Sequence, residues 1–242
     1  TKGKLKKLNR YCENLYRKAE ISSSFSSLPY PQDELNAGWE DLLTNQFHDS
    51  LPGTHLTSVY EDILEVYNRV QETGETVLSN ARNNIVSSIN TEGEGQALVL
   101  INNQPYSRKS LITYPMEEQP VRLLNDEGKE IPHQFTTSLE SGKTCLTFYG
   151  ENLPPLGYTV YRLVKEQSAT DAETSLKVSG TSLENDYLKV EINSMGELIS
   201  VYDKINEREC LNEMGGNLFR VFEDVPGQYD AWDIVPFYED YE

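Results

Sequence analysis

The sequence predicts an α+β protein of several domains, in which a three-helix bundle precedes antiparallel β-sandwich domains. Apolar residues recur every three or four positions over residues 1–92, which is the spacing of amphipathic helices. Beyond residue 92 they form short runs between turn residues, which indicates strands. A polar stretch without periodicity, residues 165–174, divides these strands into two sets. We therefore expect domains at residues 1–92, 93–166 and 167–242.

The first two helices are predicted from their apolar faces. The first carries apolar residues at three- and four-residue intervals, namely Leu5, Leu8, Cys12, Leu15 and Ala19. Serines in residues 22–27, followed by Pro29 and Pro31, break this pattern. The second helix presents one apolar face, made by Leu35, Trp39, Leu42 and Leu43. Pro52 and Gly53 are expected to end it.

The third helix is expected to begin at about Leu56. Ser58 and Glu61 have the spacing of a capping box, and Thr54 is a further candidate cap. Gly74 interrupts the helix at a cost of about 1 kcal/mol relative to Ala, so a slight bend is expected there. Three helices with short connections favour an antiparallel bundle.

Short apolar runs predict the strands of the two later domains. The first set is expected at residues 97–101, 121–124, 144–149 and 158–164, with turn residues between the runs. This number and spacing of strands favours a small antiparallel sandwich. The second set begins with strands near residues 188–192 and 198–202, which a turn at Gly196 connects.

The composition excludes several classes of partner. The formal net charge over 242 residues is -18, so the chain lacks the basic surface that nucleic acids and anionic membranes require. No apolar run approaches the roughly 18 to 20 residues that span a bilayer. A neutral sugar remains an acceptable ligand. The three cysteines, Cys12, Cys145 and Cys210, are odd in number and far apart, which favours a reducing cytoplasm.

The run from Trp39 to Thr54 carries the clearest candidate site. His48 and Asp49 are the last polar residues before the Pro52-Gly53 break, and the ends of elements are where sites tend to lie. An imidazole beside a carboxylate can bind a metal or transfer a proton. The alternative is structural, because His and Asp are also common where helices end.

Three segments resemble one enzyme family, in the family's order. The run from Trp39 to Thr54 resembles the middle-domain signature of glycoside hydrolase family 38, the retaining α-mannosidases. Residues 188–204 resemble the strand-turn-strand opening of the family's large β-domain. Residues 217–234 are similar to the Asp-x-Pro-x-x-x-Asp-Ala-Trp-Asp stretch of its cytosolic, vacuolar and bacterial branch.

The resemblance implies specific roles in a longer enzyme that removes terminal α-linked mannose from oligosaccharides. It implies that His48 is a ligand of Zn²⁺, although other divalent metals also accept such ligands. It implies that Asp49 accepts hydrogen bonds from mannose hydroxyls. Trp232 and Asp233 would bind substrate at the rim of the site, or would only pack within the β-domain.

The resemblance also indicates which parts lie elsewhere. Family members carry a His-x-Asp pair and a nucleophilic Asp in an N-terminal α/β domain. None of the three histidines here, His48, His55 and His133, has Asp two residues later. We therefore expect an internal fragment without catalytic residues of its own, inactive in isolation, whose partner is that missing domain of the same protein.

Two further interpretations remain open at this stage. His55 is expected at the start of the third helix, outside the metal site, and His133 is expected to be a surface or cross-strand residue. The rival function is a noncatalytic carbohydrate-binding or scaffold module, in which His48 and Asp49 only end a helix. Upstream sequence that contains His-x-Asp would decide between the enzyme and the module.

Overall fold

Three α-helices begin the chain and share one core. The computed structural model describes residues 2–139, 141–166, 174–223, 225, 227 and 235–241. The helices are α1 (Gly3–Phe25), α2 (Gln32–Asn45) and α3 (Thr57–Ser87). All three contribute to the core, whose buried members are Leu5, Cys12, Leu15, Tyr16, Ala19, Leu35, Leu42, Ile63, Tyr67, Val70, Val77 and Leu78. The three helices predicted from apolar spacing are therefore confirmed.

The end of α1 falls where the sequence predicts it. The helix ends at Phe25, within residues 22–27, although Ser22 and Ser23 still belong to it and are buried. Serine is tolerated there because its hydroxyl can bond a carbonyl one turn earlier, as Ser24 does with the carbonyl of Glu20 at 2.9 Å.

The end of α2 differs from the prediction. The helix ends at Asn45, well before Pro52. The next amide, that of Gln46, donates to the carbonyl of Leu43 at 3.1 Å, which tightens the last turn. Leu43 does not belong to the apolar face, since it is 58% exposed while its neighbour Leu42 is fully buried. Consecutive helical residues point about 100° apart, which explains this difference.

The start of α3 corrects the predicted caps. Its N-cap is Leu56, and no side chain caps the helix. Ser58 and Glu61 lie inside the helix, so the predicted capping box is wrong. Thr54 does not cap the helix either, and its hydroxyl donates to Asp49 instead.

Glycines in α2 and α3 allow the helices to approach α1 closely. A Cβ atom on Gly38 would lie 1.9 Å from Oη of Tyr16, and one on Gly74 would lie 2.7 Å from Cε2 of the same ring. Tyr16 is fully buried, and its hydroxyl donates to the carbonyl of Val70 at 3.0 Å. Gly74 therefore leaves room for Tyr16, and α3 continues through it.

Gly38→Ala should destabilise the helices. Alanine gains about 1 kcal/mol of helix propensity, but a clash with a buried ring that cannot move costs about 3 kcal/mol. The free energy of unfolding, measured in urea, should fall by about 2 kcal/mol. Gly3→Ala is the control, since no atom lies within 4 Å of the added methyl group. An unchanged or raised stability of Gly38→Ala would contradict the close approach of α1 and α2.

Six strands follow the helices and form two antiparallel sheets. They are β1 (Gln96–Asn102), β2 (Arg108–Pro115), β3 (Val121–Leu124), β4 (His133–Thr137), β5 (Thr144–Leu153) and β6 (Gly157–Lys165). The strand orders are β1-β6-β3 and β2-β5-β4. Both sheets contribute to a second core, which contains Val121, Leu123, Ile131, Leu146, Phe148, Tyr161 and Leu163. The four predicted strands are present, and β2 and β4 are additional.

The helices and these two sheets lie in one compact unit, residues 1–170. Asn103, which follows β1, donates from its amide to Oγ of Ser22 at 2.9 Å and to the carbonyl of Lys18 at 3.3 Å. Arg17 donates to Oε1 of Gln104 at 3.2 Å. These bonds link α1 to the loop after β1.

The second compact unit, residues 171–242, contains a five-stranded antiparallel sheet. Its strands are β7 (Lys177–Val178), β8 (Ser182–Glu184), β9 (Leu188–Ile192), β10 (Leu198–Asp203) and β11 (Arg208–Glu209), in the order β11-β10-β9-β8-β7. A 3₁₀ helix follows at Tyr238–Tyr241. The predicted β9–β10 hairpin is present, and Gly196 takes the positive φ of 85° that its turn requires.

The two faces of this sheet differ in chemistry. Cross-strand pairing places Val178, Leu183, Val190 and Val201 in one row on the same face. Val178 is 73% exposed and Leu183 is 45% exposed. The other face is charged: Glu184 lies 2.8 Å from Nζ of Lys204, and this hydrogen bond lowers the pKa of the Glu184 carboxyl. The sheet is therefore amphipathic, and its apolar face is exposed at β7 and β8 and half-buried at Val190 and Val201.

All three cysteines are free. Cys12 and Cys145 are buried, while Cys210 is exposed. Burial raises the pKa of the Cys12 thiol to about 11, so this thiol stays neutral near pH 7. No helix in the described part of the chain is both long and apolar enough to cross a membrane.

Candidate functional site

His48 and Asp49 lie in a turn after α2, and not on the helix itself. The amides of Ser50 and Leu51 both donate to the carbonyl of Phe47, at 2.9 and 3.1 Å. His48 and Asp49 are thus the two central residues of a hydrogen-bonded turn. Because the side chains of such residues point away from the turn, both groups are presented to the exterior.

The two side chains are exposed and close together. Nε2 of His48 lies 3.5 Å from Oδ2 of Asp49, and the side chains are 71% and 53% exposed. The ring of Phe47 lies 4.1 Å from the imidazole, centroid to centroid, and is itself 57% exposed. The turn therefore presents an imidazole, a carboxylate and an aromatic ring on one accessible surface.

The other oxygen of Asp49 is held by Thr54. Oγ1 of Thr54 donates to Oδ1 of Asp49 at 3.1 Å, across the Pro52-Gly53 turn. This bond restricts the carboxylate while leaving Oδ2 directed towards His48. The sequence analysis expected Thr54 to cap α3, and only the folded turn shows that its hydroxyl contacts Asp49.

Asn45 and Gln46 connect this turn to the other helices, and the sequence analysis did not identify either. The buried Asn45 donates its side-chain amide to the carbonyl of Ile63 in α3 at 3.3 Å. Nε2 of Gln46 donates to Oε1 of Glu13 in α1 at 2.9 Å. The sequence did contain a signal for their burial. Asn45 and Gln46 follow Leu42 by three and four positions, so they lie on the same face of the chain as the buried residues Leu35 and Leu42.

His55 forms a separate local arrangement. Its Nδ1 lies 2.9 Å from the carbonyl of Leu56, and its ring stacks on Tyr60 with 6.1 Å between centroids. His133 pairs with Phe148 across β4 and β5, as a cross-strand residue. Neither contacts His48 or Asp49 among the described bonds and ring contacts. Trp232 and Asp233 lie outside the described residues.

This surface is suited to supply part of a metal site. The imidazole of His48 is accessible, and imidazole is a good ligand for Zn²⁺. Within the described ranges, however, no three His, Cys, Asp or Glu side chains lie close enough together to hold a metal ion. A zinc site normally takes three or four protein ligands, so the remaining ligands would have to come from other residues.

Two family models match this chain. The alpha mannosidase middle domain matches residues 1–85, which include α1, α2, α3 and the turn. The C-terminal domain of glycosyl hydrolases family 38 matches residues 183–242. Together the two matches cover more than half of the chain, and they occur in the order that the three sequence segments indicate.

Relatives with similar sequences are much longer than this chain. Alpha-mannosidase 2C1 of Mus musculus is 27% identical over 252 residues, which covers 98% of this chain and 21% of the mouse protein. Alpha-mannosidase G of Dictyostelium discoideum is 22% identical and covers 94% of this chain and 24% of its own length. The chain thus spans about a fifth to a quarter of these relatives.

A solved structure shares the fold. A glycosyl hydrolase family 38 protein from Enterococcus faecalis matches with a TM-score of 0.64 and 17% identity. The match covers 85% of this chain and 29% of the bacterial chain. At this identity the likeness concerns the fold alone.

Proposed function

Because this chain belongs to glycoside hydrolase family 38, we propose that it is part of a retaining α-mannosidase that removes terminal α-linked mannose from oligosaccharides. The observation that carries the proposal is the exposed turn with His48 and Asp49, which lies within the match to the middle domain. An exposed imidazole and carboxylate on a turn held at both ends can complete a site on a neighbouring domain.

His48 contributes one ligand to a zinc site in this proposal, and the other ligands belong to the N-terminal α/β domain. Bound Zn²⁺ would chelate neighbouring sugar hydroxyls and favour a distorted ring. Asp49 accepts hydrogen bonds from mannose hydroxyls, and Thr54 holds its other oxygen. Trp232 and Asp233 add substrate contacts at the rim of the site.

The nucleophile and the acid/base belong to the same missing domain. Retaining glycosidases need two carboxyl groups about 5 to 5.5 Å apart. Asp49 is engaged by Thr54 and by the imidazole of His48, which suits a binding role better than nucleophilic attack.

The proposal also assigns the domains: residues 1–92 are the three-helix middle domain, residues 93–166 the small β-sandwich, and residues 167–242 the beginning of the large β-domain. The free cysteines support a reducing, cytoplasmic location.

The test uses the protein with its upstream region. With zinc, cobalt or manganese supplied in turn, it should hydrolyse an aryl α-mannoside, and proton NMR should show α-mannose as the first product. An aryl β-mannoside serves as the control and should remain intact. Absence of hydrolysis with every metal would refute the activity, and β-mannose as the first product would refute retention. A noncatalytic module would instead bind mannose without hydrolysing it.

Asp49→Asn separates sugar binding from a structural role. Asn keeps an oxygen that can accept from Thr54, but it loses the charge, and a charged hydrogen bond to a hydroxyl contributes roughly 1.5 to 3 kcal/mol. In the active protein we expect kcat/KM to fall about ten to over a hundredfold while zinc content is nearly unchanged. A purely structural Asp49 would instead change the melting temperature and leave kinetics normal. Thr54→Val removes the hydrogen bond to Asp49 and so measures how much that bond contributes to kcat/KM.

A further inference from the structure

A chain of hydrogen bonds runs from the helix core to the start of the turn. Oε1 of Glu13 accepts from the side-chain amides of Gln46 at 2.9 Å and Asn9 at 3.2 Å. Asn9 in turn accepts from the hydroxyl of the fully buried Tyr67 at 3.3 Å. These four side chains connect α1, α3 and the C-cap of α2, the residue two positions before His48.

The carboxylate of Glu13 is the fixed centre of this chain. Its side chain is only 25% exposed, and Nη1 of Arg10 lies 2.5 Å from Oε2. A carboxylate that receives several donors forms stronger bonds than a neutral acceptor would. Glu13 therefore holds the amide of Gln46 in one orientation, relative to a helix that belongs to the rigid core.

At the end nearest α2, few other described contacts hold the turn. Its own bonds run within the segment, from the amides of Ser50 and Leu51 to the carbonyl of Phe47. Phe47, His48 and Asp49 are all exposed, so core packing does not fix them. The direction in which the turn leaves α2 then depends on the backbone bond from the amide of Phe47 to the carbonyl of Thr44, at 3.2 Å, and on the side chains of Asn45 and Gln46.

From this geometry we propose that Glu13 and Gln46 are positioning residues for the His48-Asp49 turn. They touch neither metal nor sugar, and they act by fixing where the imidazole and the carboxylate lie. The proposal rests on the proposed function of His48 and Asp49. Groups that hydrogen-bond directly to a metal ligand contribute about 10- to 100-fold to metal affinity, and Glu13 and Gln46, which act through the backbone of the turn, should contribute at the lower end of that range.

Gln46→Glu in the intact, zinc-loaded protein tests the proposal. It replaces the amide that donates to Glu13 with a second carboxylate, so the hydrogen bond is lost and the two carboxylates repel each other. Zinc affinity, measured by competition with a chelator, should fall about tenfold, together with kcat/KM. The double variant Glu13→Gln/Gln46→Glu restores a carboxylate–amide pair with reversed polarity. It should recover zinc affinity to within about threefold of the original protein.

Glu75→Gln is the matched control. Oε1 of Glu75 also accepts from a tyrosine and a glutamine, Tyr11 at 2.7 Å and Gln71 at 2.9 Å, and it links α1 with α3. None of its described bonds reaches α2 or the turn. Its loss should lower the melting temperature without changing zinc affinity. If Gln46→Glu does the same, Glu13 and Gln46 have only a structural role and the positioning proposal fails.

Three further measurements separate the possible failures. Gln46→Met removes the donor without adding a charge, so it replaces Gln46→Glu if that variant does not fold, and it should also lower zinc affinity. His48→Ala is measured in parallel. If His48→Ala keeps its zinc, the proposed function of His48 is wrong; if only the Gln46 variants keep theirs, the positioning proposal alone is wrong. Faster hydrogen exchange at Ser50 and Leu51 in the Gln46 variants would support the loosened turn without any metal.

Discussion

Residues 1–242 purified alone should not hydrolyse an aryl α-mannoside, even with zinc added. The groups of a catalytic site act as a unit, and loss of the nucleophile alone removes most of the acceleration, on the order of 10⁶-fold in a well-studied hydrolase. In the described part of this chain no metal-binding group of three side chains exists, and His48 is the one ligand that the resemblance assigns. We therefore expect a rate at least about 10⁴-fold below that of the active protein.

The measurement requires a sample whose intact mass excludes the longer protein. Residual activity that disappears with further purification would come from contamination. Activity that follows added zinc and stays proportional to the pure chain would contradict the proposal, because the nucleophile would then lie within these residues.

His48→Ala should abolish metal loading and activity together in the active protein. Removing a direct ligand should cost more than the roughly 10- to 100-fold that outer partners contribute. We expect zinc affinity and kcat/KM each to fall by more than about 100-fold. Elemental analysis and kinetics on the same preparation measure both quantities.

His55→Ala is the matched control for this change. Both histidines belong to the same segment, but His55 stacks on Tyr60 and makes no described contact with the turn residues. It should keep its zinc and its activity. A His48→Ala protein that remains fully loaded and active would show that the ligand assignment is wrong.

Much of the fold follows from local patterns. The helices were predictable because buried residues such as Leu35 and Leu42 recur at helical spacing on one face. Strand β5 was predictable because it concentrates apolar residues, and Cys145, Leu146 and Phe148 are buried in it. Strand β2 was missed because its apolar residues do not follow its burial. It begins with two charged residues, and on this edge strand Leu111 is exposed while Ser110 is half-buried. The end of α2 was misplaced because tertiary bonds, such as that from Asn45 to Ile63, help to fix it.

The candidate site was predictable in identity but not in geometry. His48 and Asp49 follow from the motif, and the structure places them 3.5 Å apart on an exposed turn. The role of Glu13 could not be predicted, because it lies 33 positions from Gln46 and only helix packing brings them together. The assignments of His48 and Asp49 as zinc ligand and sugar-binding group remain predictions.

The amphipathic sheet of the second unit makes its folding conditional. Valine and leucine side chains that stay in water contribute little hydrophobic free energy, and Val178 is 73% exposed and Leu183 45% exposed. The stability of this sheet is therefore thermodynamically linked to whatever covers its apolar face, as a protein's stability is linked to a bound ligand. Residues 1–170 contain two buried cores, which stabilise this unit from within. Heating should therefore separate the two units into distinct transitions, with the uncovered sheet melting first.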